Sequence, residues 1–381
     1  MITYHHIGGR NGTYPLPLKK GILLKDFHLI LYDADENCFE QMGKAAHDAW
    51  GEVSLYPYCI GGSSGKASFN LNFHPTTNSL YHFNEQYEQY SFFDNPNYGN
   101  YIFGEACKFM KSVDLDLLSL EDALKRSGIS NIDFLSLDVQ GAEYDVLRGA
   151  SALLKQCCIG LQLEVEFVKL YENQRTFADI NELLEQNGFE LIDIGSFGRC
   201  APMSLPIGFR GVEQPLYAEA VYIKKINYLA QDTIMLLKAA LFALIYNKLG
   251  MCCKFLEAAV NAGWEFNLIV DSSPHYLKCL AELWVIYDRH KHIKLPSIAQ
   301  IYSNENFQSY YRQGKNASCQ TKDALKHYLN HLLPEVEILN NNEHSPIEKL
   351  LQQYGLDKLA HILQETRQRE STCFLELAKT Y

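Results

Sequence analysis

Asp138-Val139-Gln140-Gly141-Ala142-Glu143 combines residue types that can do chemistry. Asp138 closes the apolar run Ile132–Leu137, Gly141 permits a tight turn, and Glu143 falls in the first turn of the helix that follows. Two carboxylates so spaced at the mouth of a sheet can bind, orient or deprotonate a substrate hydroxyl. Glu143 also suits the positive end of the helix dipole. Glu164 and Glu166 flank Val165 at the end of the next apolar run; one is expected to face inward, and Glu164 is taken as that one. Asp33 follows the run Phe27–Tyr32, where an acid can accept hydrogen bonds from both hydroxyls of a ribose. Asp35 can substitute for it, and either can instead cap a helix starting near Glu36. Gly8-Gly9-Arg10-Asn11-Gly12 follows Ile2–Ile7, and glycines there let backbone approach a cofactor closely. The chain has no complete G-x-G-x-x-G and no phosphate loop, which disfavours a nicotinamide-dependent oxidoreductase. His74 and His82 are alternative bases and Arg199 and Arg210 could orient an anion, although a surface position is the commoner fate of all four.

These residues need a scaffold. Ile2–Ile7, Phe27–Tyr32, Val53–Ile60, Ile132–Leu137, Ile159–Val165, Glu190–Ile194 and Ala218–Lys224 read as strands. Lys66–Phe73 alternates like an antiparallel strand. Glu36–Trp50, Leu118–Ser127, Glu143–Leu154 and Phe177–Asn187 read as helices, and Phe83–Lys108 as a long loop. Strand–helix alternation predicts an α/β fold with a mostly parallel sheet, whose ligands sit at the carboxyl ends of the strands. From Asp232 onward only helical periodicity remains. Two domains follow: 1–226 with the sheet, and 227–381, a smaller all-helical domain that could serve self-association or a protein partner.

Composition narrows the function. Hydrophobic residues make up 47% and charged residues 21% of the 381, a globular balance. A net charge of −11 argues against nucleic acid as the partner. The eleven cysteines are an odd number with no C-x-x-C pair, so they read as reduced thiols in a cytoplasmic protein and no metal site is expected. The apolar run Ile234–Tyr246 is too short to span a bilayer and contains Lys238, so a buried helix is expected and no membrane insertion.

Phe134 to Glu143, followed by Val146-Leu147-Arg148-Gly149-Ala150, resembles the FkbM family of methyltransferases. So do Leu163-Glu164-Val165-Glu166-Phe167, Leu170-Tyr171 with Gln174 and Phe177, Asn187-Gly188-Phe189, Gly61–Lys66, and Asn78-Ser79-Leu80-Tyr81. The resemblance covers roughly residues 2 to 225. It implies a Rossmann-like methyltransferase sheet with an antiparallel last strand and S-adenosylmethionine as methyl donor. It further implies O-methylation of a hydroxyl on a sugar, glycan or secondary metabolite. Carried over by position, Gly8 and Gly12 match the cofactor loop, Asp33 the acidic ribose ligand, and Asp138 the residue near the methyl group and acceptor. Asp35 and Ser79 join the first three as cofactor-binding candidates, and Glu143 and Glu164 join Asp138 as catalytic candidates. His6 stands where the family usually has an acid, and Pro15 and Pro17 interrupt the following helix. These departures support an alternative, a methyltransferase fold retained as a binding or scaffold protein.

Overall fold

The computed structural model describes residues 1–8, 16–18, 21–35, 49–95, 99–229, 232–291 and 346–380. Its strands are β1 (Ile2–Ile7), β2 (Phe27–Tyr32), β3 (Glu52–Tyr56), β4 (Cys59–Gly61), β5 (Gly65–Asn72), β6 (Ser91–Asn95), β7 (Gly99–Ile102), β8 (Phe109–Ser119), β9 (Phe134–Leu137), β10 (Gly160–Glu166), β11 (Phe189–Ala201) and β12 (Gln214–Lys224). Its helices are α1 (Phe103–Ala106), α2 (Leu120–Ser127), α3 (Glu143–Gly149), α4 (Ser151–Gln156), α5 (Phe177–Gln186), α6 (Thr233–Ile245), α7 (Leu249–Asn261), α8 (His275–His290), α9 (Pro346–Gln353) and α10 (Asp357–Thr380).

Strands that are apolar at nearly every position must be covered on both faces, which suits the centre of a parallel sheet. β2 and β9 are largely apolar, and β1 and β10, although they carry histidines, a glutamine and glutamates, are likewise buried at nearly every position; β1 pairs parallel with both β2 and β9. The main sheet runs β3-β2-β1-β9-β10-β12-β11-β6-β7, parallel from β3 to β10 and antiparallel from there on. If β1, β2, β3, β9, β10, β11 and β12 are counted as one to seven, the order is 3-2-1-4-5-7-6. This is the expected Rossmann-like methyltransferase sheet with its antiparallel last strand. Strand order reverses at β1, so the crevice that can take a ligand opens after β1 and β9.

The core lies on both sides of this sheet. On one face Ile7, Leu135, Leu137, Leu161, Leu163 and Val165 pack with Leu124, Val146, Leu147, Ile180 and Leu184 of α2, α3 and α5. Full burial of each such side chain stabilises by about 1.5–3 kcal/mol. On the other face α6 is buried almost all round, with Phe242 set 4.8 Å from Phe134. Lys238, the charge that interrupts this apolar run, meets buried Asp133 at 2.6 Å. No helix among the described residues is long and apolar enough to cross a membrane.

Several boundaries differ from the sequence reading. The strand expected over Val53–Ile60 divides at Pro57, which has no N–H for a ladder. Its second half, β4, joins a separate sheet of order β4-β8-β5. The helix expected over Glu143–Leu154 is two, reset at Ala150. The long loop expected over Phe83–Lys108 contains β6, β7 and α1, and β6 pairs with β11 to extend the main sheet. The helix expected over Glu36–Trp50 lies outside the described residues up to position 48.

Packing divides the chain into two units, Met1–Glu265 with Pro274–Tyr276, and Phe266–Ser273 with Leu277–Tyr381. The region expected to be all-helical from 227 onward is thus shared, with α6 and α7 in the first unit. In the second unit Leu280, Leu283, Trp284, Leu350, Leu351 and Leu359 are buried. Arg367 meets buried Glu348 at 3.1 Å, and Tyr354 donates to Glu282 at 2.8 Å.

Candidate active site

Gly8 and Asp138 leave β1 and β9 side by side. The Gly8 N–H donates to the Tyr32 carbonyl at 3.1 Å, and the Asp138 N–H donates to the Ile7 carbonyl at 3.0 Å. Gly8 has φ of +89°, and a methyl group built on it would fall inside the Asp138 carbonyl oxygen. Glycine is thus required here by the neighbouring chain. Gly12 lies outside the described residues.

The turn after β9 is unusual. Gln140 has φ of +55° and Gly141 +99°, two successive left-handed residues. Two groups hold them. The Ser79 hydroxyl donates to the Gln140 carbonyl at 2.6 Å. The Glu143 carboxylate accepts from Val139 N–H at 2.8 Å and from Gly141 N–H at 3.0 Å. Ser79 is fully buried and Glu143 is 1% exposed. In this structure both side chains support the backbone of the turn.

Asp138 and Glu164 hold the mouth itself. Gln140 Nε2 donates to Asp138 Oδ1 at 2.6 Å and to Glu164 Oε2 at 3.1 Å. Gln140 Oε1 accepts from the Tyr171 hydroxyl at 2.8 Å. Glu164 and Glu166 are two apart, so they share a face of β10 with Gln162, opposite the core residues Leu161, Leu163 and Val165. The expectation of one inward and one outward glutamate is corrected by that alternation. Glu219 of β12 stands directly across from Glu164.

Five carboxylates therefore crowd one end of the sheet. Burial raises the carboxyls of Asp138, Glu143, Glu164, Glu166 and Glu219 above their ordinary range, and their mutual repulsion adds to the rise. Glu143 is pushed up to about 7. None of the five pairs with a lysine or arginine among the described residues, nor do they form a metal site there.

Glu143 gives a direct test. Its proton is held in the folded state and lost by the unfolded state between the ordinary carboxyl value and about 7. Wild-type stability is therefore expected to fall as pH rises through that window. Glu143→Gln presents an amide N–H2 toward a backbone N–H and is expected to cost about 1–3 kcal/mol. Its pH slope should be shallower, so the gap to wild type narrows from pH 5 to pH 8 in thermal unfolding. A constant gap would remove Glu143 as a titrating group.

Asp33 stands after β2, where its Oδ1 accepts from the Asp35 N–H at 2.8 Å, a local turn. His74 is bonded to Thr76, and His82 packs 5.5 Å from Phe109. Arg199 and Arg210 bond to backbone carbonyls of the 202–213 loop region. The described contacts tie none of these last four to the carboxylates. Sequence reasoning missed Gln140, Glu166, Glu219 and an aromatic wall. In that wall Phe92 of β6 lies 6.4 Å from Tyr217 of β12 and 5.4 Å from Tyr101 of β7, centroid to centroid. The charges of Glu164 and Asp138 help to raise the Tyr217 hydroxyl, after burial, which ties the wall to the carboxylates.

Residues 41–191 match the family model described as Methyltransferase FkbM domain. The chain carries a methyltransferase FkbM domain. The cofactor of such a domain is S-adenosylmethionine. Among solved structures the chain is similar to a TehB-like SAM-dependent methyltransferase from Corynebacterium glutamicum, at 10% identity and a TM-score of 0.24, over 59% of this chain and 80% of that one. Comparison with curated proteins finds no match.

The residues at this FkbM-domain mouth fit a sulfonium cofactor. Carboxylates without a cationic partner complement a positive sulfur. His6 is 3% exposed, its Nδ1 lies 3.0 Å from the Ser136 hydroxyl, and its Nε2 is buried with no hydrogen-bond partner among the described residues. Burial lowers its pKa to about 4, so its ring is neutral near pH 7.

Proposed function

We propose that this chain transfers the methyl group of S-adenosylmethionine to a hydroxyl of a sugar, glycan or secondary metabolite. The observation that carries this reading is the pair Asp138 and Glu164, held at the carboxyl ends of β9 and β10 beside the wall of Tyr217, Phe92 and Tyr101. The bound cofactor supplies an electrophilic methyl group on a good leaving group. The protein is left to align the acceptor and take its proton. Asp138 Oδ2 and Glu164 Oε1 accept no hydrogen bond among the described residues, so they are the oxygens that face the acceptor. A carboxylate whose proton affinity is raised by burial is a better base toward a hydroxyl than one in water. The aromatic wall offers flat apolar faces to the C–H side of a sugar ring. Thiols buried within β11, α7 and α8 support a reducing, cytoplasmic setting. The second unit is left for self-association or a protein partner.

A second reading rests on His6. A neutral ring contributes no charge to a cationic cofactor, so the fold could serve as a binding or scaffold protein. Calorimetric titration of the full chain with S-adenosylmethionine separates the two. An active enzyme is expected to bind with a Kd below about 1 mM, the upper end of ordinary substrate constants. It should also pass a labelled methyl group into an extract of glycans and metabolites, read by mass spectrometry. No heat and no transfer at millimolar cofactor would establish the scaffold reading.

A further inference from the structure

We infer that Gln140 is the positioning residue of the site, an amide clamp that fixes Asp138 and Glu164 at one spacing and ties them to the acceptor wall through Tyr171. This rests on the transferase reading above. Gln140 is the residue around which four segments meet. Its Nε2 spends one hydrogen on Asp138 and the other on Glu164, at 2.6 and 3.1 Å. An amide nitrogen has only those two hydrogens, so its donors are fully used. Its Oε1 accepts from Tyr171, a member of the buried cluster that includes Phe103 and Leu216 and packs against Phe92 and Tyr217. Its carbonyl accepts from Ser79.

The backbone supports the same assignment. At φ of +55° Gln140 is in the left-handed region, where the Cβ of an L residue crowds its own following carbonyl oxygen. Surrounding structure must over-determine such a conformation, and Ser79 and Glu143 do so from either side of it. The strain aims the Gln140 side chain back across the mouth, between β9 and β10. Without it, two carboxylates of like charge would have no donor between them and would separate or take up a proton. Asp33, Glu143, Glu166, Glu219, Tyr171 and Tyr217 also act on this pair, and the acids among them all oppose its ionisation. Among the described residues, Gln140 supplies the only side-chain hydrogens on it.

The test uses the full chain with Gln140→Met, which keeps length and loses both donors, and Gln140→Glu, which replaces the donors with a third acid. Two readouts are taken. The first is the pH profile of kcat/KM for methyl transfer. The acid limb is expected to move up by about one pH unit in Gln140→Met and further in Gln140→Glu; for a one-unit move the loss is roughly fivefold at the pH of the wild-type midpoint and approaches roughly tenfold on its acid side. The second needs no activity. Losing the donors raises the folded-state proton affinity of the pair, so the variants should lose more stability at pH 8 than at pH 5. The extra loss should be about 3 °C in Tm where the acid limb has moved by one pH unit. A purely structural role would give the same loss at every pH. Superimposable rate profiles, or a Tm loss that is flat with pH, overturn the clamp. If wild type transfers no methyl group, the reaction reading fails and the Tm comparison still decides the clamp. If Gln140→Met does not fold, Gln140→Glu, closest in shape, is read in both assays.

Discussion

Asp138→Asn is expected to lower kcat for methyl transfer by roughly 10²–10⁴-fold, the usual contribution of a positioned general base, and to raise Tm at the same time. The two effects have one origin. Asparagine keeps the shape and can accept from Gln140 through its amide oxygen, but it cannot take a proton. Burial and neighbouring Asp33 both disfavour the ionised form of Asp138. An acid whose folded-state affinity for a proton is raised destabilises the fold once pH exceeds its unfolded value. A neutral residue removes that cost above about pH 4. Near neutral pH the variant should therefore melt higher than wild type, and near pH 4 the two should converge. Cofactor affinity is expected to drop by less than the rate, because the substitution keeps the shape of the mouth and removes only the proton acceptor. Glu164→Gln should behave in the same direction. Full activity in Asp138→Asn, with its melting point unchanged across pH, would take Asp138 out of the chemistry and leave it as a turn residue.

The parallel half of the sheet could be read from sequence because buried parallel strands are marked by continuous apolar runs. Phe27–Tyr32 is bounded to the residue for that reason. The other half could not. β6 and β7 match at Ser91 with Ile102 and Phe92 with Tyr101, then go out of register, and β6 is fixed by Cys200 and Ala201 more than a hundred residues later. β8 does carry a signal of its own, the alternation Val113-Asp114-Leu115-Asp116-Leu117. Asp138 was visible as an acid at a strand end. Glu219 was not, because its place opposite Glu164 depends on the register of an antiparallel pair formed across more than fifty residues. Gln140 lay between the two acids of the motif, yet its role depends on a positive φ that residue type alone does not announce. Ser79 and Glu143 have contacts that their residue types did not announce. Both stand at positions that suggest a ligand, and both serve the backbone of the turn that presents Gln140.

Gly8→Ala is expected to be the most damaging small substitution in the first unit, at about 2–6 kcal/mol. Backbone strain at a positive φ contributes about 1–3 kcal/mol and overpacking against a fixed neighbour about 1–3 kcal/mol more. The neighbour cannot yield cheaply, because it is a backbone carbonyl. Asp138 is tied to Ile7 through its N–H, and Gly8 is tied to Tyr32 in the same way, so relief requires breaking the sheet at its switch point. Gly128→Ala supplies the control. Gly128 ends α2 with φ of +71°, and a methyl group there meets nothing within 4 Å. It isolates the conformational cost, about 1 kcal/mol for a left-handed glycine. The difference between the two variants in urea unfolding, at an unchanged m-value, measures the collision with Asp138. A folded Gly8→Ala should also bind S-adenosylmethionine more weakly than Gly128→Ala, because moving Asp138 by even a fraction of an ångström separates it from Gln140 and Glu164. Equal penalties for the two substitutions would mean that the Asp138 carbonyl does not lie against Gly8, and the geometry of the mouth would then have to be redrawn from that point.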